Sequence, residues 1–287
     1  MIIKGLDFTS VPSVKKPITC ALCHLQGNEL HVLEMQRLEN FPAFETEIAA
    51  PGEWVAGVDF PFGQSRTLIK NLDWCERWEE YIEMVSLYSK QEFIDLLESY
   101  KKYRKTGDKE HRRQIDELAK SISPQKLYGV PVGKMFYEGA KRLLRSPASI
   151  VPFRVADPHR VIMESYPAIV ARRVVGKEAY KHDQTSKQTS EHAAARARIV
   201  AAFTSGLLEG HYGIKVLTDT HDDALVADVS GDSLDAVLCA LQAAWGYQSR
   251  DNDYGVPLAV DRAEGWIVDP LFVGADLAPR RRWRKRQ

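Results

Sequence analysis

The stretch Met1–Ser10 reads MIIKGLDFTS. Ile2, Ile3 and Leu6 are apolar and favour a strand, Asp7 follows directly, and Pro12 closes the run. The pattern predicts a buried strand that ends on a carboxylate. A carboxylate in that position carries a desolvation cost unless something pairs with it. Alone, Asp7 is better explained as a cap for the following turn. Two later stretches repeat the pattern of apolar strand then acid, Trp54–Gly63 and Val161–Ala168. That repetition moves the reading from a turn residue towards a site.

The frame is an ordinary soluble one. Of 287 residues, 44% are hydrophobic and 27% charged, which fits one large domain or a core with an insertion. Lys plus Arg equals Asp plus Glu at 39 each, so no global field attracts nucleic acid or a membrane. Any such binding must come from local patches. No run of about 20 apolar residues is present to span a bilayer. The N-terminus lacks a signal peptide's basic region and apolar core, so a cytoplasmic location is expected. The four cysteines, Cys20, Cys23, Cys75 and Cys239, fit a reducing compartment. Cys20-Ala-Leu-Cys23-His24 matches a haem-attachment pattern literally. In a strand, however, Cys20 and Cys23 point to opposite faces. A zinc site would need a second ligand pair, and none is evident.

Along the chain, Pro17–Leu25 and Glu29–Leu38 read as a hairpin turning at Gln26-Gly27-Asn28. The run Trp54–Asp59 (WVAGVD) is continuously apolar up to its acid, as a central parallel strand should be. Pro61 then stops it. Residues 69–150 read as a helical insertion. Trp74, Trp78, Tyr81, Ile82 and Val85 fall at helical spacing, and Ser89 with Glu92 forms a capping box for a helix with Phe93, Leu96, Leu97, Tyr100 and Tyr103 on one face. A basic run follows: Lys101, Lys102, Arg104, Lys105, Lys109, Arg112 and Arg113. It is either a solvated helix end or a surface for phosphates. Strand character resumes at Val161–Met163 and ends on Glu164. Ser165-Tyr166-Pro167 then echoes Asp59-Phe60-Pro61. Ile169–Val175 reads as a helix with Arg172 and Arg173, and a further helix is expected over 191–208. Gly231-Asp232-Ser233-Leu234-Asp235 opens a helix running to about Trp245, with Asp232 as its natural N-cap. Capping explains Asp232 as well as metal binding does; Asp235, beside the apolar stripe, reads as a ligand. Glu264–Pro270 reads as a last short strand. Residues 280–287 form a basic tail, either nucleic-acid-binding or simply solvated.

The order of these pieces is informative. A strand with Asp7, a hairpin, a strand with Asp59 and a late helix opening on Asp232-x-x-Asp235 resemble the ribonuclease H-like fold, and the helix start resembles that of RuvC-type resolvases. More closely, GLDFTS, GVDFPFG, ESYPA, GDSLDAVLCALQAAW and EGWIVDP together resemble the DUF429 family. The resemblance covers residues 1–68 and 160–270. It implies an α/β fold with a mixed sheet flanked by helices, and a predicted nuclease. The core would comprise residues 1–68 and 151–279, with the insertion at 69–150.

The chemistry can also be argued from the acids. Hydrolysing a phosphodiester needs an activated water and a stabilised leaving oxygen, and two divalent ions about 3.5–4 Å apart supply both. Mg²⁺ and Mn²⁺ prefer hard oxygen ligands. Asp7 is expected to bridge two such ions, with Asp59 and Glu164 on either side and Asp235, with Asp232, completing the set. Nucleic acid is the expected partner, contacted by Lys101, Lys102, Arg104, Lys105, Arg112, Arg113, Arg172 and Arg173. Two other readings stay open. GLDFTS could pass for the first phosphate loop of an actin-like or sugar-kinase-like nucleotide-dependent enzyme, although no second Asp-x-Gly loop is evident. A non-catalytic nucleic-acid-binding scaffold would tolerate loss of the acids.

Overall fold

The computed structural model describes residues 1–182, 185–275 and 277. Strands β1 (Ile2–Asp7), β2 (Ile18–Gln26) and β3 (Glu29–Leu38) come first, then helix α1 (Phe41–Glu47) and strand β4 (Trp54–Asp59). Helices α2 (Arg66–Asn71), α3 (Trp78–Leu87), α4 (Lys90–Lys102), α5 (Gln114–Ala119) and α6 (Val132–Arg145) follow. The chain returns to the sheet with β5 (Ser149–Val151) and β6 (Arg160–Glu164), then forms α7 (Pro167–Val175), α8 (Ser190–Ala202) and α9 (Glu209–Tyr212). Strand β7 (Lys215–Leu217), α10 (Asp222–Ala227) and the long α11 (Asp232–Gln248) complete it.

The seven strands form one mixed sheet in the order β5-β6-β4-β1-β2-β3-β7. Only β2 runs against the others. This is a mixed α/β architecture with helices on both faces, consistent with the ribonuclease H-like fold. The hairpin and the central parallel β4 lie where the sequence places them. On one face, α7, α8 and α11 cover Ile3, Val55, Val161 and Met163. On the other, the helices of the 69–150 region cover Leu6, Val58 and Ile162. Those helices therefore serve as the second layer of the core.

The details differ in instructive places. Strand β5 takes the last residues of the expected helical insertion, because Ser149-Ile150-Val151 finds a paired neighbour in β6. The helix expected over 191–208 ends at Ala202, and a separate short turn of helix carries Glu209–Tyr212. Tyr103 does not join the buried face of α4; it caps the helix and is 86% exposed. Glu264–Pro270 contributes an isolated bridge, Ile267 to Glu164, instead of a strand. Asp232 is the first helical residue of α11, and Gly231 takes the N-cap at φ 71°. The capping box of Ser89 and Glu92 forms as read. The basic tail at 280–287 lies outside the described residues.

Candidate functional site

Strands β1 and β4 are parallel neighbours, with Asp7 directly opposite Asp59. Residues in register share a face, so both carboxylates leave the carboxyl ends of adjacent strands on the same side. Ligands of open α/β sheets collect at such strand ends. The helix on that side is α11. Each acid is preceded, two residues earlier and on the same face, by a glycine: Gly5 and Gly57. A Cβ on Gly5 would stand 1.9 Å from the Ala236 carbonyl oxygen, and one on Gly57 2.5 Å from that of Cys239. The bare glycines let α11 lie directly on the two strands. Its first turn then stands over the strand ends and brings Asp232 and Asp235 to Asp7 and Asp59. The partial positive charge of a helix N-terminus favours acids there.

A fifth residue completes the group. Lys181 donates from Nζ to Asp235 Oδ2, and the same nitrogen lies 3.8 Å from Asp232 Oδ1. Its stem passes over Gly231. Tyr180 donates its hydroxyl to Asp235 Oδ1 at 2.6 Å. Asp235 is thus buried with a donor on each oxygen. Asp7 and Asp59 differ: both are half-buried, and among the described residues neither carboxylate accepts a hydrogen bond. Burial pushes the Asp59 carboxyl up to about 8, helped by Asp235 and Glu164 and opposed by Lys181. Burial also raises Asp7, opposed by Lys181 and reinforced by Asp232, Asp235 and Asp59. One ammonium therefore serves four carboxylates.

Glu164 requires a correction. It stands opposite Val58, one residue short of the Asp59 position. Strand side chains alternate, so Glu164 leaves the sheet on the other face. There it takes Arg113 Nη2 at 2.6 Å, Arg113 Nη1 at 2.8 Å and the Phe62 amide at 3.0 Å. Its charge still reaches Asp59, but its oxygens are engaged in a buried pair. The acid–aromatic–proline echo misleads by one residue: Asp59-Phe60-Pro61 has no spacer, whereas Ser165 separates Glu164 from Tyr166.

The expected nucleic-acid contacts divide in the same way. Arg113 is 1% exposed and bound to Asp116 as well as Glu164, so it is a core residue. Lys101 is 7% exposed and donates to Glu110 and the Gln125 carbonyl. Arg173 pairs with buried Asp269 at 3.1 Å. These three do not form a surface. Arg104 is committed to Asp108 at 2.7 Å. Lys102, Lys105, Arg112 and Arg172 are exposed. Lys181 and Tyr180 were not singled out by sequence reasoning. They lie between helices, where no periodicity marks them; the paired G-x-D of Gly5–Asp7 and Gly57–Asp59 was the available sign of a close-lying helix.

Among the described residues, no three His, Cys, Asp or Glu side chains stand as a ready-made ligand group for a metal. Oxygen donors of the kind Mg²⁺ or Mn²⁺ takes are nevertheless gathered here, two of them without a hydrogen-bond donor. The chemistry of the donor set fits a hard cation, with Lys181 standing where positive charge is needed. Among the described residues no helix is long and apolar enough to cross a membrane.

A family model described as "Protein of unknown function (DUF429)" matches residues 5–250. Comparison with curated proteins and with solved structures returns no match.

Proposed function

Since the chain belongs to the DUF429 family, whose description states no function, we propose from the site that it is a metal-dependent nuclease hydrolysing phosphodiester bonds. The observation that carries this reading is the in-register pair Asp7 and Asp59, without hydrogen-bond donors among the described residues, under the Asp232–Asp235 turn of α11. Carboxylates so grouped repel one another. Two unit charges about 4 Å apart cost about 4 kcal/mol at an effective dielectric of 20. Among the described residues, one ammonium, that of Lys181, offsets them.

Asp7 and Asp59 would hold Mg²⁺ or Mn²⁺, with Asp235 and Asp232 as further donors. Two such ions would activate a water and steady the leaving oxygen. The protein's own contribution is placement. The strand ends fix Asp7 and Asp59, Gly5 and Gly57 fix the helix, and Tyr180 fixes one oxygen of Asp235. Glu164 acts on the other face, tying β6 to Arg113.

The test is incubation of the pure protein with labelled single-stranded, duplex and branched nucleic acids in Mg²⁺, Mn²⁺ or EDTA. Cleavage in either metal, absent in EDTA and absent in folded Asp7→Asn and Asp59→Asn, is the expected result. Failure to cleave any substrate in either metal, or cleavage that survives Asp7→Asn, would overturn the proposal.

A further inference from the structure

Beside the carboxylates lies a cavity of about 250 Å³ between α7 and the chain leading to Lys181. Ala168, Ala171, Arg172, Lys177, Tyr180 and Lys181 line it. Small side chains on α7 open the space, and three cations border it. Their states differ. Lys181 is turned to Asp235. Arg172 donates from Nη1 to the Ala119 carbonyl at 2.8 Å and from Nη2 to the Tyr166 hydroxyl at 3.0 Å. Both partners are neutral, so the guanidinium is held in place while its charge is unspent. Among the described residues, neither Arg172 nor Lys177 has a carboxylate partner. The one acid lining the cavity, Glu178, is drawn away to Arg198 at 2.5 Å.

The cavity also has a defined address. Its Tyr180–Lys181 end touches Asp235. Arg172, which also lines it, lies 5.3 Å from the centre of the Tyr166 ring, and Tyr166 is within electrostatic reach of Asp59. A fixed planar guanidinium with free N–H groups is a fork for phosphate oxygens, and a flexible ammonium beside it adds a point charge.

We propose that this cavity is a subsite for a backbone phosphate of the nucleic-acid strand, gripped by Arg172 and Lys177. It sets the strand so that a neighbouring phosphodiester lies over Asp7 and Asp59. The assignment rests on the nuclease reading, and it names which of the basic residues does the positioning. The basic run after α4 is not needed for it.

Binding, measured without metal, tests it separately from cleavage. A fluorescein-labelled single-stranded oligonucleotide is titrated with the full chain in EDTA, by anisotropy, at several salt concentrations. Arg172→Gln should weaken binding about tenfold, the scale of one lost charged hydrogen bond. The double variant with Lys177→Gln should weaken it further, and the salt slope should fall by about 0.7 for each lost phosphate contact. Ala168→Leu, which narrows the space and keeps both cations, should also weaken binding. Arg250→Gln, beyond the far end of α11, should not. Melting curves show whether each variant is folded. Unchanged affinity and slope in the folded double variant would overturn the subsite, whatever the cleavage assay shows. Orthophosphate competing as effectively as the unlabelled oligonucleotide would overturn it too, by making this a site for free anions. Loss of cleavage in Asp7→Asn with binding intact would leave the subsite standing.

Discussion

Replacing Lys181 with Met removes one ammonium from among four carboxylates and keeps most of the stem. Lys181 Nζ bonds Asp235 and lies 3.8 Å from Asp232 Oδ1. Unit charges at that distance attract by about 4 kcal/mol at an effective dielectric of 20. The Lys181 side chain is 30% exposed, so solvent screening reduces the loss to roughly 2 kcal/mol. At about 2–4 °C per kcal/mol for a chain of this size, Lys181→Met should melt about 4–8 °C below wild type in EDTA at pH 8. The loss should shrink at pH 6, where a proton on Asp59 takes over part of the ammonium's work. Divalent cation should reverse the order of the two proteins' responses. A ligand at 100 times its dissociation constant stabilises by about 2.7 kcal/mol. In wild type that gain is reduced by the cost of displacing Lys181 from Asp235; in the variant it is not. Differential scanning fluorimetry with 0 to several millimolar Mn²⁺, against K⁺ at equal ionic strength, reads both effects. A variant that melts like wild type in EDTA, or that gains no more from Mn²⁺ than wild type does, would refute the argument that Lys181 offsets the cluster where a cation belongs.

Three shorter predictions follow from the same geometry. Asp7→Asn removes a charge but no hydrogen bond, so in EDTA it should melt at or above the wild-type temperature, with a smaller Mn²⁺ response; a fall of several degrees would point to a structural carboxylate. Because the Asp59 carboxyl is raised to about 8 in the folded state, the folded chain holds a proton there that the unfolded chain has released between about pH 4 and about pH 8, and Asp7, raised as well, acts in the same direction. Metal-free stability should therefore decline as pH rises through that window, less steeply in Asp59→Asn, and a denaturant series at pH 5, 6.5 and 8 checks it. Gly5→Ala places a Cβ 1.9 Å from a carbonyl of α11 and 2.3 Å from the Ala240 nitrogen, backbone atoms that cannot rotate away. It should cost at least about 1–3 kcal/mol and blunt the Mn²⁺ response by shifting Asp235, read by urea melts with and without metal.

The parallel core was legible because its signals are local. An apolar run stopped by an acid and a proline marks β4, and a glycine-centred turn between two strands marks the hairpin. Asp7, Asp59 and the Asp232–Asp235 turn could be grouped because each sits at the end of a recognisable element. Glu164 was misassigned because a site at a strand end is sensitive to parity, and one residue of register reverses the face. Register between strands is a long-range property that no single stretch reveals. Arg113 and Lys101 looked like a basic surface for a related reason. A run of cations has the same composition whether its partners are solvent or distant acids such as Glu164, which lies 51 residues away. Lys181 sits between helices without periodicity, and only the folded arrangement gives it company.

Crystals of the full chain grown or soaked with Mn²⁺, with data collected at the manganese edge, would show whether the strand-end acids hold a metal. The expected result is an anomalous peak bridged by Asp7 and Asp59 at about 2–2.3 Å from their oxygens, the range for a small divalent ion with hard ligands, and loss of that peak in Asp7→Asn. Saturating Mn²⁺ with no peak within reach of either carboxylate, and Lys181 still bound to Asp235, would contradict it.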